Sequence, residues 1–416
     1  MADINEKLEQ IVELEKQLSK IKDVDILQER ILTECRRIIN ADAGSIYEVI
    51  DNGASLKIKY GQNDTRQKLM EPGMKLPYTS FTFPISETSI CGYVAKTGKP
   101  LNIKDCYELD ESLPYKFNKN PDILSNYKTT SIFTFPLKSE KELFGVIQII
   151  NKKDEDGNVV PFSDEDILLI THLANDIVQF LENAYRFQAI VTRMNRLAAL
   201  RDPKETGGHV ERVSTFALEI YDRWAFNHSI PLIDSQEFRD NLKIAAKFHD
   251  IGKVGISDLI LKKPGRFDDF ERNVMKAHTC MGAQLFHPSE DELDTMCFNI
   301  NLHHHDRWDG GEQAYPGKVN IDDYVTGDPI PQAEKLMGTE IPIEARIVSV
   351  ADVFDALSNQ RCYKEAWSIE DAFAEIEKCS GTQFDPEVVE AFIQIKDRIH
   401  AISIAMKDME VPVKAS

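Results

Sequence analysis

Apolar residues recur every three or four positions in two stretches of the chain, which is the spacing of one face of an α-helix. The first stretch, 1–24, predicts a short amphipathic helix that either docks on the next domain or forms a short coiled coil. The second, 163–200, stops before Asp202-Pro203, where proline ends a helix. We predict one long connecting helix there. Its stripe favours a parallel homodimer, and packing of a single helix on its own domains is the alternative.

Mixed strand and helix patterns fill residues 25–162. The runs SIFTFPLK at 131–138 and LFGVIQIINK at 143–152 are dense in β-branched and aromatic residues and are joined by a charged turn. They predict two adjacent strands. A further strand is predicted at 45–50, before the turn Asp51-Asn52-Gly53. This part of the chain is therefore expected to form an α+β domain.

Length and composition restrict the classes of protein to which the chain can belong. A length of 416 residues predicts more than one domain, and 42% hydrophobic with 28% charged residues is typical of folded globular proteins. The formal net charge of −20 argues against binding to nucleic-acid polymers or anionic membranes. Seven cysteines without a CxxC pair argue against disulfides. Since no signal peptide or membrane span is visible, we expect a cytoplasmic protein.

Histidine is concentrated in one region: eight of the ten histidines lie between positions 209 and 305. Histidine titrates near neutral pH and binds transition metals well, so this density calls for a chemical explanation. His249-Asp250 ends the apolar segment 242–248, where two ionisable groups are costly to bury unless they are paired or bind metal. Lys253 follows within one turn and can offer positive charge to an anion.

Other candidates have weaker individual signals. Glu205 and His209 are four residues apart and share a face if a helix begins there, although such pairs are usually solvated. His278, taken alone, is more typical of a core histidine than of a metal ligand. Of His303-His304-His305, at most two can serve one cluster, because adjacent helical residues diverge by about 100°. Asp352 interrupts the apolar helix predicted at 345–358 and needs a cation there, whereas Asp355 is expected to be a structural partner.

Motifs in a fixed order identify the region 190–395 as similar to the HD-GYP family of metal-dependent phosphodiesterases. The matching motifs are ETGGH, HDIGKVG, KAH, HHDRWDG, YP, IPIEARI, ADVFDAL, RCYK and GTQFDPEVV. The resemblance implies an all-α domain, here 201–416, that uses two or three iron or manganese ions to hydrolyse cyclic dinucleotides, mainly cyclic di-GMP. The product would be the linear dinucleotide, with possible further cleavage to GMP.

The resemblance also implies roles for individual residues. The motif frame selects His304 and His305 and leaves His303 outside. The implied metal ligands are Glu205, His209, His249, Asp250, His278, His304, His305 and Asp352. Asp250 is expected to bridge two ions and Lys253 to add charge to the catalytic site. The implied substrate contacts are Lys253, Tyr315, Arg361 and Lys364, the last two being alternatively a surface basic pair.

Two features depart from the HD-GYP pattern. The family's DGxGYP loop is longer here, and Ala314 stands in place of its second glycine. Residues 317–337 then precede Gly338, where the family has a much shorter connection. Because alanine does not easily adopt positive φ, we expect an altered loop path. The insertion is expected to cover or reshape the mouth of the pocket.

The region 25–185 resembles a GAF domain, a small-molecule sensing module, with its core predicted at 25–162. Asn151-Lys152, Phe162 and Asp166 fit the NK…F…DE signature of GAF domains in cyclic-nucleotide phosphodiesterases, but Ile167 stands where that family has Glu. The resemblance leaves two alternatives, an unidentified small ligand or a ligand-free scaffold.

Three functions are compatible with the sequence. The first is a cyclic di-GMP phosphodiesterase regulated by a GAF sensor. The second is the same enzyme acting on cyclic GMP-AMP or a mononucleotide. The third is a catalytically silent receptor that binds a cyclic dinucleotide or only metal. The presence of every implied ligand favours an enzyme over a receptor.

Overall fold

The chain folds into two compact units that divide between Gln188 and Ala189. The structure is a computed structural model and describes residues 12–77, 80–202, 207–359 and 367–407, without the side chains of 232–234. The predicted multidomain architecture is confirmed: an α+β unit is followed by a helical one. Among the described residues, no helix has the length and apolar character needed to cross a membrane. The six described cysteines are free thiols.

The first unit is built on a seven-stranded antiparallel sheet. The strands are β1 (Ala41–Ile50), β2 (Ser55–Asn63), β3 (Thr82–Pro84), β4 (Leu101–Ile103), β5 (Ile132–Lys138), β6 (Leu143–Lys153) and β7 (Val159–Val160). Six of them follow the order β3-β2-β1-β6-β5-β4, and the seventh, β7, also pairs with β6. The helices are α1 (12–18), α2 (Val24–Ile38), α3 (Asp64–Gln67), α4 (Ile90–Thr97), α5 (Asn120–Ser125) and α6 (Asp164–Arg201).

The predicted strands at 131–138 and 143–152 are confirmed as the neighbours β5 and β6. Phe133 and Phe135 of β5 face the helical layer that contains α2 and the first part of α6, and both are buried. Gly145 lets β6 approach β1 closely, because a Cβ there would lie 2.2 Å from the Tyr47 carbonyl oxygen. Glycine at this position therefore permits the pairing of β1 with β6.

The connecting helix α6 is confirmed as one continuous helix of 38 residues. Its early apolar positions Ile170, Leu173 and Ile177 are completely buried in the core of the first unit. This part of the predicted stripe is thus a packing face within the chain. Further along, Leu197 and Leu200 are 65% and 77% exposed, and the predicted homodimer stays a prediction.

The signature residues of the first unit also come together. The Lys152 ammonium forms an ion pair with the Asp166 carboxylate, and Asp166 also accepts hydrogen bonds from the Ser163 backbone and hydroxyl at the start of α6. Phe162 is buried beside Phe133 of β5. The pair therefore attaches β6 to the beginning of the connecting helix.

The second unit is built from α-helices, and no β-strand lies among its described residues. Its helices are α7 (Gly207–Asn227), α8 (Leu232–Ala245), α9 (Asp258–Leu261), α10 (Asp269–Lys276), α11 (His278–Gln284), α12 (Glu292–His303), α13 (Ile343–Ser358), α14 (Ile369–Lys378), α15 (Pro386–Gln394) and α16 (Lys396–Lys407). Short 3-10 turns at Ala246–Phe248 and Ile251–Gly255 flank His249-Asp250. The apolar core lies between α7, α13 and α15, where Phe216, Phe354 and Phe392 are fully buried.

The insertion 317–337 leaves the helical core and returns close to where it began. At its base the Lys318 amide donates to the Glu334 carbonyl at 2.8 Å. Farther out, Ile321 and Tyr324 are buried against side chains of α10 and α11. Ala314, which precedes the insertion, is fully buried and is not among the residues with positive φ. The distal part of the insertion thus packs behind the helix that begins with His278.

Candidate metal centre

Five segments that are far apart in sequence bring histidine and aspartate side chains to one place in the second unit. His209 lies in the first turns of α7, and His249-Asp250 follow α8. His278 begins α11, His304-His305 follow α12, and Asp352 lies in α13. Apolar residues on these helices form the core below the site. Consequently, the polar groups are held on packed helices rather than on free loops.

The side chains form two adjacent groups, in each of which the candidate ligand atoms lie within 4.8 Å of one another. The first group consists of Asp250, His278, His304 and His305. The second consists of His209, His249 and Asp352. In the first, the Asp250 Oδ1 atom is 3.0 Å from His278 Nε2 and 3.7 Å from His304 Nε2. In the second, Asp352 Oδ1 is 3.5 Å from His209 Nε2 and 3.8 Å from His249 Nε2.

Asp250 connects the two groups. While its Oδ1 atom faces His278 and His304, its Oδ2 atom lies 3.4 Å from His249 Nε2. Lys253 places its Nζ atom 2.6 Å from the same Oδ2. One carboxylate is thus available to both groups, which is the arrangement expected of a bridging ligand between two cations.

The imidazole rings are oriented by hydrogen bonds at Nδ1. His249, His278 and His304 each bond a backbone carbonyl of the preceding turn, at 2.9, 2.7 and 2.9 Å. His209 instead bonds the Asp355 carboxylate at 2.8 Å. These contacts direct the Nε2 atoms toward the two groups, as metal-binding histidines require.

Several atoms at the centre are buried without a hydrogen bond to any described residue: Asp250 Oδ1, His278 Nε2 and His304 Nε2. Leaving one such atom unsatisfied costs about 1–3 kcal/mol. All three point at one another, and nitrogen and carboxylate oxygen are suitable ligands for divalent transition metals. The residues therefore fit divalent metal ions.

The charge states of the candidate ligands also suit metal binding. Burial alone would raise the pKa of the Asp250 carboxyl, but Lys253 and His249 outweigh it and hold the pKa well below its usual range. Burial, reinforced by the charges of His304 and His278, lowers the pKa of His305 well below its usual range. The carboxyl is therefore ionised and the imidazole neutral near pH 7, which are the forms that bind metal.

The predicted site residues have different outcomes. Seven of the eight implied ligands lie in the two groups, whereas Glu205 lies outside the described residues, as do Arg361 and Lys364. His303 bonds Asp306 at 2.8 Å and belongs to neither group, in agreement with the motif frame. Tyr315 stacks on His305 with ring centroids 4.8 Å apart.

Sequence reasoning missed two features around the centre. The Arg212 guanidinium bonds Asp355 at 2.6 Å, so a buried cation fixes the carboxylate that holds His209. Lys276 places its Nζ atom 4.7 Å from the centre of the Tyr315 ring, and Lys335 donates a hydrogen bond to the Ala314 carbonyl. The spacing of Arg212, one turn after His209, was an available signal for the first feature.

Models of two protein families match the chain, one in each unit. The model of the GAF domain matches residues 23–181, and the model of the HD domain matches residues 206–357. A cyclic di-GMP phosphodiesterase of Vibrio cholerae is 34% identical over 62% of this chain and 48% of its own length. One of Thermotoga maritima is 37% identical, covering 52% of this chain and 51% of its own length.

A third relative carries a different name. The 3'3'-cGAMP-specific phosphodiesterase 2 of Vibrio cholerae is 35% identical over 49% of this chain and 34% of its own length. The chain thus spans about half or less of the length of these curated relatives.

Proposed function

We propose that this chain, which combines a GAF domain with an HD domain, is a metal-dependent phosphodiesterase that hydrolyses a cyclic dinucleotide. The observation that carries the proposal is the position of Asp250 between two groups of metal-binding side chains, with Lys253 beside it. Cyclic di-GMP is the first substrate to test, because two of the relatives reported above are named for it.

The proposed metal ligands are His209, His249 and Asp352 for one ion and His278, His304 and His305 for the other, with Asp250 shared. Iron or manganese is the proposed metal, since both accept mixed imidazole and carboxylate ligands. Bound divalent ions would supply charge that neutralises a phosphodiester and would lower the pKa of water. Glu205, in its predicted role, would allow a third ion.

Residues around the ions would act on the substrate directly. The Lys253 ammonium lies 2.6 Å from the Asp250 carboxylate, so it places positive charge where a phosphate beside the ions would lie. Burial and the nearby Asp250 charge raise the pKa of the Tyr315 hydroxyl, which therefore keeps its proton and can donate a hydrogen bond. Arg361 and Lys364 are further proposed contacts to guanine or phosphate.

The proposed reaction adds water to phosphorus and breaks one phosphorus–oxygen bond of the ring. The departing ribose oxygen takes up a proton, so the product is the linear dinucleotide. No serine or cysteine nucleophile is required, and the described cysteines do not belong to the two ligand groups. A second hydrolysis would release GMP.

The decisive assay uses protein purified without oxygen and loaded with Fe(II) or Mn(II). We expect conversion of cyclic di-GMP to the linear product, followed by chromatography, and loss of metal and turnover in Asp250→Ala. Circular dichroism should show that this variant stays folded. Normal hydrolysis by Asp250→Ala, or none by the metal-loaded wild type, would refute the proposal.

A second candidate substrate is 3'3'-cGAMP, because a relative at comparable identity is specific for it. Parallel rates with the two cyclic dinucleotides and cyclic GMP distinguish the candidates. Binding of a cyclic dinucleotide without turnover would instead indicate the silent receptor.

For regulation, we propose that the GAF domain senses a small ligand or a partner and acts through α6. This helix begins at the Lys152–Asp166 pair and ends at Arg201, whose guanidinium bonds the Ile256 carbonyl at 3.0 Å in the second unit. We further propose a cytoplasmic homodimer through α6. A change of turnover when the helix is altered would support this route.

A further inference from the structure

Three basic side chains meet beside the candidate metal centre, and the proposed function does not use them. Lys276 ends α10, two residues before His278, and Arg272 lies one turn earlier. Lys335 comes from the insertion 317–337, and its ammonium donates to the Ala314 carbonyl. Arg272 and Lys335 are the charged neighbours that act on Lys276. We call Arg272, Lys276 and Lys335 the basic cluster.

The basic cluster lacks acidic partners among the residues that the structure describes. Other lysines close by do have them: Lys263 pairs with Glu271 at 2.5 Å, and Lys318 pairs with Glu334 and Glu340 at 2.7 and 3.0 Å. In a chain with 69 acidic and 49 basic residues, carboxylates are abundant. Lys276 and Lys335 are partly buried, and Arg272 is exposed. Cations that lie together without a carboxylate repel each other, so their arrangement favours an external anion.

The cluster also lies next to the metal centre. The Tyr315 ring stacks on His305 at 4.8 Å between centroids, and the Lys276 ammonium is 4.7 Å from the same ring. One tyrosine thus contacts both a candidate metal ligand and a member of the cluster. A molecule that has one phosphate at the metal centre and extends past Tyr315 would therefore place a second anion at Lys276.

We propose that Lys276 and Lys335 bind the second phosphodiester group of a cyclic dinucleotide while the first lies at the metal centre. The inference rests on the proposed function, which it deepens. A lysine ammonium has three hydrogen-bond donors. Lys335 uses one of them in its bond to the Ala314 carbonyl oxygen, so donors remain for phosphate oxygens. The insertion thereby takes part in selecting dinucleotides over substrates with one phosphate.

The test compares Lys276→Met and Lys335→Met in the full chain with Mn(II), since methionine keeps an apolar stem and removes the charge. Lys318→Met is the matched control, because Lys318 lies in the same insertion but already pairs with two glutamates. Calorimetry measures binding of cyclic di-GMP. Hydrolysis of bis(p-nitrophenyl) phosphate, which has one phosphodiester, monitors the metal centre itself.

We expect each of the two substitutions to weaken cyclic di-GMP binding about tenfold or more, the effect of losing a charge-assisted hydrogen bond. Hydrolysis of the one-phosphate substrate should stay within about twofold of the wild-type rate, and Lys318→Met should change neither measurement. Unchanged binding in both variants would overturn the inference. Equal losses with both compounds would also overturn it, because the lysines would then only support the centre.

Failure of the proposed function would give a pattern of assay results different from failure of this inference. If the wild type binds cyclic di-GMP through the two lysines but never hydrolyses it, the inference stands and the enzyme assignment fails. If the wild type hydrolyses bis(p-nitrophenyl) phosphate but does not bind cyclic di-GMP, the inference fails while a phosphodiesterase remains.

Discussion

Gly252 lies where the segment after Asp250 crosses α11. A Cβ at this position would lie 2.0 Å from the His278 carbonyl oxygen and 2.3 Å from the Gly282 amide nitrogen, both backbone atoms that cannot turn aside. Gly252→Ala should therefore move Asp250 away from His278. We expect a loss of about 1–3 kcal/mol in unfolding free energy and of about 100-fold in turnover.

The control for Gly252→Ala is Gly207→Ala, because a Cβ at Gly207 meets no atom of a described residue within 4 Å. Chemical denaturation and a phosphodiesterase assay measure both variants. Wild-type activity in Gly252→Ala would show that the close approach does not position Asp250.

Asp355 is the second residue whose role can be measured, since it bonds His209 Nδ1 while Arg212 holds it in place. Asp355→Asn should turn or weaken His209 and lower affinity for metal about 10–100-fold, as found when partners of ligating histidines are removed. Metal titration monitored by competition with a chelator gives the affinity.

Asp222→Asn is the matched control for Asp355→Asn, because Asp222 of α7 forms a comparable pair with Arg239 of α8, at 2.6 Å. It should lose stability without losing affinity for metal. Equal metal affinity in the two variants would contradict the role given to Asp355.

Sequence reasoning located the seven described ligand candidates because metal chemistry restricts residue type and motif order fixes the frame. It could not locate the basic cluster, since Lys276 and Lys335 are 59 positions apart and meet only after the insertion folds back. Lys276 stands in the KAH motif, which was used only to locate His278, and Lys335 does not differ from a surface lysine in its local sequence.

At the scale of single elements, α6 carries the predicted dimer seam. Phe180 packs against the core of the first unit, so its substitution would disturb folding. Met194 lies on the predicted stripe and is 42% exposed, so it tests association directly. If α6 pairs as proposed, Met194→Glu should convert a dimer to a monomer in sedimentation experiments, because a charge at the seam loses apolar contact and repels its copy on the partner helix.

Arg196→Glu, a change at an exposed residue of the same turn, serves as the control for Met194→Glu and should leave the dimer intact. A wild type that sediments as a monomer, or a dimer that survives Met194→Glu, would rule out this seam.

Asp42 on β1 gives a prediction about pH. Its side chain is 2% exposed and accepts hydrogen bonds from Lys153, Tyr127 and Thr65. Burial alone would raise the pKa of this carboxyl, but these bonds outweigh it and lower the pKa below its usual value. Because the pKa of Asp42 is lower in the folded than in the unfolded state, the ionised carboxyl stabilises the first unit above about pH 4. This stabilisation is lost as pH falls through the folded pKa.

Asp42→Asn should therefore lower the unfolding free energy of the first unit by about 1–3 kcal/mol at pH 7 and flatten its loss of stability in acid. The three tryptophans lie at 224, 308 and 367, so their fluorescence reports the second unit, and circular dichroism reports both. An acid transition in the variant identical to that of the wild type would contradict this account.

Local patterns predicted the strands β5 and β6 and the continuity of α6, because alternation and helical spacing depend on residues that are close in sequence. They could not show that Ile170, Leu173 and Ile177 pack inside the first unit, since the same spacing also suits a dimer. The path of the insertion likewise depends on long-range packing of Ile321 and Tyr324.

At the scale of the whole molecule, the chain combines a unit matched by the GAF-domain model with a helical unit that holds the candidate metal centre. The centre draws its ligands from α7, α11, α13 and the segments after α8 and α12, so it exists only when the second unit is folded. Metal binding should therefore stabilise that unit by mass action. Its proposed activity, substrate and regulation all depend on ions being held between the two groups.

Anomalous X-ray diffraction from crystals grown without oxygen, recorded at the iron and manganese absorption edges, tests this claim most directly. We predict one peak bordered by Asp250, His278, His304 and His305, and a second bordered by Asp250, His209, His249 and Asp352. Absence of a peak among these side chains in metal-supplemented crystals, or peaks bordered by other residues, would contradict it.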